Sequence, residues 1–164
     1  MAQTIAALST APGGAIGIVR ISGDAAESCL RALFTPVGSR DLQPRVLTYG
    51  VLTVHGRVID RPMAVFFPAP ATYTGEPMAE IHCHGSSAVL QAVLSALFDL
   101  GARQAEPGEF TRRAFLNGKL DLFAAEAVGD LVTAHSEQAA ALAVSQLGGH
   151  MSTEFADMRQ RLIA

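Results

Sequence analysis

The segment PMAEIHCHG, residues 77–85, carries the clearest secondary-structure pattern in the chain. Successive side chains of a β-strand point to opposite faces of a sheet, so alternation with a period of two indicates a half-buried strand. Apolar side chains occupy one face and ionisable side chains the other: Ala79, Ile81 and Cys83 against Glu80, His82 and His84. The segment therefore predicts a strand with one face toward a core and one polar face.

Five other segments predict strands around this one. The apolar runs TIAALSTA (4–11) and AIGIVRISG (15–23) are separated by a turn, and we expect them to pair. VLTYGVLTV (46–54) and RPMAVFFP (61–68) flank HGRVID and predict a hairpin rich in β-branched and aromatic residues. ARQAE (102–106) predicts a short returning strand.

Three segments of this first part predict helices. GDAAESCLRALF (23–34) has Asp24 as a candidate N-cap and apolar residues at helical spacing. AVLQAVLSALFDL (88–100) follows a cap at Ser86 or Ser87 and ends at Gly101. EFTRRAFL (109–116) predicts a short helix. Its inward-facing residues are Phe110, Ala114 and Phe115, and Arg112 and Arg113 lie near its rim.

The texture changes after Lys119, where Ala-rich segments with no strand pattern continue to the end of the sequence. Asn117 and Gly118 predict a tight turn that projects Lys119. Three further helices are predicted, and the last carries an apolar stripe of Met151, Phe155, Met158 and Leu162. The sequence thus predicts an α+β domain over residues 1–119, a mixed β-sheet with packed helices, and an incomplete helical domain over 120–164.

Composition limits the classes of function. The chain has 164 residues, 49% of them hydrophobic, and a formal charge of -3, so it has no general attraction for nucleic-acid phosphates. Cys29 and Cys83 are too few for a disulfide framework and lack paired metal-ligand spacing, which fits a reducing compartment. No segment predicts a signal peptide or a membrane span, so we expect a cytoplasmic protein.

Arg20 emerges from an apolar row of its predicted strand, where an unpaired charge is unfavourable. Two interpretations are open. The guanidinium forms a salt bridge with a neighbouring strand, for which Glu80 is the candidate, or it meets an anionic ligand, since its planar fork suits a carboxylate or phosphate.

Glu80, His82 and His84 also admit a metal interpretation, because alternate histidines on a strand can chelate a metal with a nearby carboxylate. No second ligand cluster in the sequence supports it, and a polar, partly solvated sheet face explains the same pattern. The nucleotide-binding signature G-x-x-x-x-G-K-[ST] is absent, since Leu120 follows Gly118-Lys119. No G-x-S-x-G nucleophile signature occurs either.

Three blocks together resemble a known family: TIAALSTAPGGAIGIVRISG, YTGEPMAEIHCHG and PGEFTRRAFLNGKLDLFAAEAV. They resemble, in order and spacing, the N-terminal region of the tRNA uridine-5-carboxymethylaminomethyl modification GTPases, the MnmE/TrmE family. The resemblance implies a folate-binding domain similar to that of the aminomethyltransferases, which binds 5-formyl-tetrahydrofolate as one-carbon donor. It also implies folate contacts at Arg20, Glu80 and Lys119. Arg112, Arg113 and His82 are further candidate contacts with the ligand, and we expect no metal.

The same resemblance implies partners. In the family the protein is a homodimer that acts with an FAD-dependent partner, MnmG, on the wobble uridine of certain tRNAs. The GTPase domain and the C-terminal cysteine motif of the family do not occur in this sequence, so we expect a fragment or a shortened relative that does not hydrolyse GTP. Two alternatives remain open: a stand-alone folate-dependent one-carbon transferase, and a dimerisation module without a ligand. The loops APGGA and HCHGS depart from the family, which usually has an arginine in the first and HGHGG in the second.

Overall fold

The computed structural model describes residues 3–11, 13–38 and 41–148, together with residues 158, 160, 161 and 163. Within these residues the chain forms five helices and one mixed sheet of eight strands. The α+β class predicted from the sequence is confirmed. Contacts divide the chain into two compact units, Met1–Thr72 with Glu76–Glu106, and Tyr73–Gly75 with Pro107–Ala164. The domain boundary predicted near residue 119 lies inside the second unit and stays a prediction.

The first unit contains the whole sheet. Its strands are β1 (Ile5–Leu8), β2 (Ile16–Ser22), β3 (Phe34–Pro36), β4 (Thr48–Val54), β5 (Arg57–Asp60), β6 (Met63–Phe67), β7 (Met78–His84) and β8 (Arg103–Gln104). Their order is β3-β4-β6-β7-β2-β1-β8, and β5 pairs with the other part of β4. All pairs are antiparallel except β1 with β8.

Strand β7 lies in the middle of this order, and its alternation determines both faces of the sheet. It pairs with β2 along its full length and with β6 along five residues. Ala79, Ile81 and Cys83 are buried, whereas Glu80 and His82 are half-buried and His84 is exposed, as the sequence predicts. The buried face belongs to the core that also contains residues of α1 (Ala26–Leu33) and α2 (Ser87–Asp99). Burial of each large aliphatic side chain there contributes about 1.5–3 kcal/mol.

The hairpin predicted over residues 46–68 is placed wrongly. HGRVID is not a connection between two strands, because it contains β5, which pairs directly with β4. The turn is His55-Gly56, whose φ angles of 49° and 75° are typical of a type I′ turn. This turn matches the twist of the flanking strands, and it brings Asp60 back along β4. β6 pairs with β4 only at Thr48 and Tyr49.

The helix starts are also partly different from the prediction. Asp24 does not cap α1, because Ala25 occupies the N-cap position with no side-chain capping bond. The Ala25 N–H instead donates to Thr4 Oγ1 at 3.1 Å. The acceptor therefore comes from Thr4, the residue that precedes β1. Ser86 does occupy the N-cap position of α2, but its hydroxyl makes no capping bond, and Gly101 follows the end of that helix with a φ of 94°.

The second unit is helical within the described residues. Its helices are α3 (Glu109–Leu116), α4 (Leu122–Thr133) and α5 (Glu137–Leu147). Asp121 caps α4 by accepting from Ala124 N at 2.8 Å, and Ser136 caps α5 by accepting from Ala139 N at 3.2 Å. The last predicted helix lies largely outside the described residues, and of its stripe only Met158 lies within them.

Candidate functional site

Arg20 and Glu80 face each other across the central strand pair. The register of β2 and β7 places them directly opposite, and both Nε and Nη2 of Arg20 lie 2.9 Å from Glu80 Oε1. Their side chains are 29% and 16% exposed, so the pair is partly desolvated but still reachable from solvent. The salt bridge predicted from the sequence is therefore confirmed. It forms because the pairing compensates the partial burial of each charge.

His82 extends this pair by one residue. Its Nε2 lies 3.2 Å from Glu80 Oε2, the second oxygen of the carboxylate. A carboxylate held by a guanidinium accepts hydrogen bonds, so Nε2 is the protonated ring nitrogen of His82 in this contact. Glu80 thus accepts two bonds at Oε1 and one at Oε2, and Oε2 keeps acceptor capacity because each carboxylate oxygen has two lone pairs.

His84 belongs to a different cluster, which the sequence did not predict. Its Nδ1 lies 2.7 Å from Asp60 Oδ1, and its backbone N–H donates to Asp60 Oδ2 at 2.8 Å. Arg61 N adds a third bond to Oδ1 at 2.7 Å. Burial by itself would raise the pKa of Asp60, but the bonds from the His84 ring, His84 N and Arg61 N together hold it below the ordinary value.

The alternating Glu80, His82 and His84 do not form a metal site. Glu80 is engaged by Arg20, and His84 turns to Asp60, so the three side chains do not share one centre. Throughout the part of the chain that the structure describes, no group of three His, Cys, Asp or Glu side chains could hold a metal ion. Cys83 points into the core, where burial first and the charge of Asp60 second raise its pKa to about 12.

The loops APGGA and HCHGS touch each other at one end of β2 and β7. Gly85 N donates to Ala15 O at 3.0 Å. A Cβ on Gly85 would lie 1.8 Å from Gly14 O, so no residue with a side chain fits there without moving the first loop. Glycine at position 85 is therefore a requirement of this backbone contact.

Lys119 lies in the second unit, shortly after α3. The helix ends in a tight turn, in which Gly118 has a φ of 68° and Lys119 N donates to Ala114 O at 2.8 Å. This confirms the turn predicted from Asn117-Gly118. The convergence of Lys119 with Arg20 and Glu80 stays a prediction.

Arg112 and Arg113 do not both lie at the rim of α3. Arg113 is buried and pairs with the buried Glu109 one turn earlier, with Nη2 3.1 Å from Oε1. Phe115, expected to point inward, is 39% exposed. The reason is helical phase: Glu109, Arg113 and Ala114 share the buried side, so Phe115 and Arg112 line an apolar groove of about 600 Å³ toward α4. The roles of Arg112 and Arg113 toward a ligand stay predictions.

These features define a class: an α+β domain that carries a carboxylate, guanidinium and imidazole cluster on one face of an open sheet, followed by helices. No helix among the described residues combines the length and the apolar character that crossing a bilayer requires.

Comparison with known proteins narrows the class to a family. The family GTP-binding protein TrmE N-terminus matches residues 4–119. The tRNA modification GTPase MnmE of Nitratidesulfovibrio vulgaris (strain DP4) is 49% identical over 99% of this chain, and that of Bacteroides thetaiotaomicron is 46% identical over 98%. The chain therefore belongs to the MnmE/TrmE family, in its N-terminal region. It spans 36% of the length of each of these two relatives.

Sequence reasoning missed the contacts of Asp60 and Gly75, and it identified Asn117 only as a turn residue. Asp60 ends β5, which lies in the segment HGRVID between the two predicted hairpin strands, and no local pattern connects it with His84. Gly75 packs against Lys119 from a segment more than forty residues earlier in the sequence. Among the sequence patterns, only the YTGE block, which is part of the family resemblance, indicates that this segment matters.

Proposed function

We propose that this chain binds a reduced folate, 5-formyl-tetrahydrofolate, as the N-terminal part of a GTPase that modifies tRNA. The names of its relatives support the tRNA-modification part of this proposal. The observation that carries the folate part is the Glu80 carboxylate, held between Arg20 and His82 on a partly exposed sheet face. When bound, the folate supplies a one-carbon unit, and the residues of this chain bind and orient it.

The chemistry of these side chains fits a pterin. The amino group and ring N–H of a pterin form a row of donors, and a carboxylate accepts two such bonds side by side. Glu80 Oε2 has acceptor capacity for one of these donors. The neighbouring part of the sheet contains the exposed side chains of Tyr49 and Met63, which offer apolar surface to a flat ring.

The two ends of the ligand are assigned by the salt bridge. Arg20 lies 2.9 Å from Glu80, so both side chains serve the same end of an extended molecule. We assign Glu80 and Arg20 to the pterin, and Lys119 to the carboxylates of the glutamate tail. Lysine suits the tail because its ammonium is a compact charge that pairs with carboxylates.

Calorimetry with 5-formyl-tetrahydrofolate tests the assignment. Removal of a bond to a charged acceptor should weaken binding about tenfold or more in Glu80→Ala, since each such bond contributes roughly that much. Glu27→Ala is the matched control, because Glu27 also pairs with an arginine at 2.9 Å but lies exposed on α1. Equal affinity of wild type and Glu80→Ala, or no binding by wild type, rejects folate binding at this site.

A truncated ligand tests the assignment of the two ends. For a 5-formyl-tetrahydropterin without the glutamate tail, Glu80→Ala should still reduce affinity, whereas Lys119→Ala should have no effect. For the complete folate, both substitutions should reduce the affinity. Comparison of the two ligands therefore measures the coupling between the tail and Lys119 directly. Sensitivity of the tailless ligand to Lys119→Ala contradicts the assignment.

We further propose that the chain forms a homodimer in the cytoplasm and that the complete protein acts with an FAD-dependent partner of the MnmG type. Exposed apolar residues on the strands, such as Ile16 and Val58, support an interface. Sedimentation equilibrium with and without ligand tests the dimer. A stand-alone one-carbon transferase would transfer its formyl group without any partner, and a pure dimerisation module would dimerise without binding folate.

A further inference from the structure

The segment Tyr73–Gly75 packs against the end of α3, and we call it the YTG segment. Tyr73 Oη and Thr111 Oγ1 lie 2.8 Å apart, within hydrogen-bonding distance. Asn117 Nδ2 donates to Thr74 O at 2.7 Å, and Thr74 is fully buried. These contacts hold the backbone of the segment on the turn that precedes Lys119.

Gly75 is the point at which this segment meets Lys119. Its φ of 80° lies in the left-handed region, which favours glycine. A Cβ at this position would lie 3.1 Å from Asn117 Cβ, 3.3 Å from Lys119 Cγ and 3.5 Å from Lys119 Cδ. The aliphatic stem of Lys119 therefore lies directly on the Gly75 backbone, and an added Cβ would make it shift by a few tenths of an ångström.

The backbone of Lys119, from which the side chain starts, is also held in place. Lys119 N donates to Ala114 O, and Gly118 N donates to Phe115 O, so the turn closes firmly on the last turn of α3. An unconstrained lysine stem has many rotamers, and ordering it during binding weakens the affinity. Packing against Gly75 removes part of this freedom before any ligand arrives.

We propose that Gly75 and Asn117 are positioning residues, which hold the YTG segment so that it pre-orients Lys119 for the anionic end of its ligand. The choice of ligand rests on the folate function proposed above. The pre-orientation itself is a property of the chain and is measurable without a ligand. Neither residue touches the ligand in this proposal, and both act through the direction of the lysine stem.

The affinity test compares two glycines of nearly equal φ. Gly75→Ala should weaken binding of 5-formyl-tetrahydrofolate by about three- to tenfold, because the added Cβ displaces the stem and part of the pre-orientation is lost. Gly56→Ala is the control, since Gly56 has a φ of 75° but no atom lies within 4 Å of the position that an added Cβ would take. It carries the same backbone strain and should bind like wild type.

Two further variants separate positioning from general destabilisation. Asn117→Ala removes the bond to Thr74 O without straining Gly75, and it should weaken binding in the same direction. The tailless pterin should bind wild type, Gly75→Ala and Asn117→Ala equally, because only the tail uses Lys119. A loss of affinity for the tailless pterin in these variants would show a structural effect and overturn the proposal.

The direct test uses the composition of the chain, in which Lys119 is the only lysine. Selective ¹³C-labelling of lysine therefore reports the order of this one side chain by NMR relaxation. We expect restricted stem motion in wild type and Gly56→Ala, and faster motion in Gly75→Ala and Asn117→Ala. Equal motion in all four proteins overturns the proposal, whereas absent folate binding with the expected NMR result rejects only the folate function.

Discussion

Replacement of Asp60 should measurably weaken the first unit. The Asp60 side chain is only 7% exposed, and it accepts three hydrogen bonds from Arg61 N, His84 N and His84 Nδ1. Each such bond contributes a net of about 1 kcal/mol, so Asp60→Ala should lower the free energy of unfolding by about 3 kcal/mol. Asp60→Asn keeps Oδ1 as an acceptor but places its amide group opposite the His84 N–H. This substitution should lower the free energy of unfolding by about 1–2 kcal/mol.

Urea denaturation at pH 7 measures both effects, with Asp41→Asn as the matched control. Asp41 also accepts from an N–H, that of Leu42, and from a cationic side chain, that of Arg31, but it is 69% exposed. Solvent screens the exposed pair, so the control should unfold almost like wild type. An equal shift for Asp60→Asn and Asp41→Asn would refute the reasoning that burial determines the contribution of Asp60.

The pH dependence follows from the direction of the shift. The folded pKa of Asp60 lies below its unfolded value, which is about 3.9. Its contribution is therefore complete above that value and is lost as the pH falls through the folded pKa. The difference in unfolding free energy between wild type and Asp60→Asn should shrink as the pH falls below about 4.

Three other predictions concern positions away from the proposed ligand. Gly85→Ala should lower the unfolding free energy by at least about 2 kcal/mol, because its Cβ would lie 1.8 Å from Gly14 O. The control Gly14→Ala meets only an ordinary contact at 3.6 Å, and chemical denaturation of both variants measures the difference. Cys83 should resist iodoacetamide at pH 8 in the folded protein and react in urea, because burial raises its pKa to about 12, and equal rates would contradict this. Thr4→Val removes the acceptor for Ala25 N and should lower the melting temperature by an amount that corresponds to about 1 kcal/mol, with no change if the bond is unimportant.

The pattern along β7 shows how far local sequence reasoning reached. Alternation is a property of neighbouring residues, so the buried face of Ala79, Ile81 and Cys83 could be predicted and is confirmed. The partner of Arg20 could also be predicted, because a charge in an apolar row needs a counter-charge. Glu80 lies on the polar face of β7, directly opposite Arg20 of β2.

Errors occurred where a short polar segment admits two structures. HGRVID has the composition of a loop, yet the His55-Gly56 turn alone reverses the chain, and residues 57–60 form β5. The inward side of α3 was assigned by hydrophobicity, but the buried Glu109 and Arg113 compensate each other one helical turn apart. Pairing of charges therefore outweighed the apolar character of Phe115.

By itself, the sequence determined the α+β class, the faces of β7, the turn before Lys119 and, through its three blocks, the family. These depend on residues that are close along the chain or on motifs that are read directly. Only the tertiary structure decided that Asp60 orients His84, that position 85 has no room for a side chain beside Gly14 O, and that Gly75 supports the stem of Lys119. Each of those contacts joins segments far apart in the sequence, and their distances follow from how the strands and helices pack rather than from any local preference.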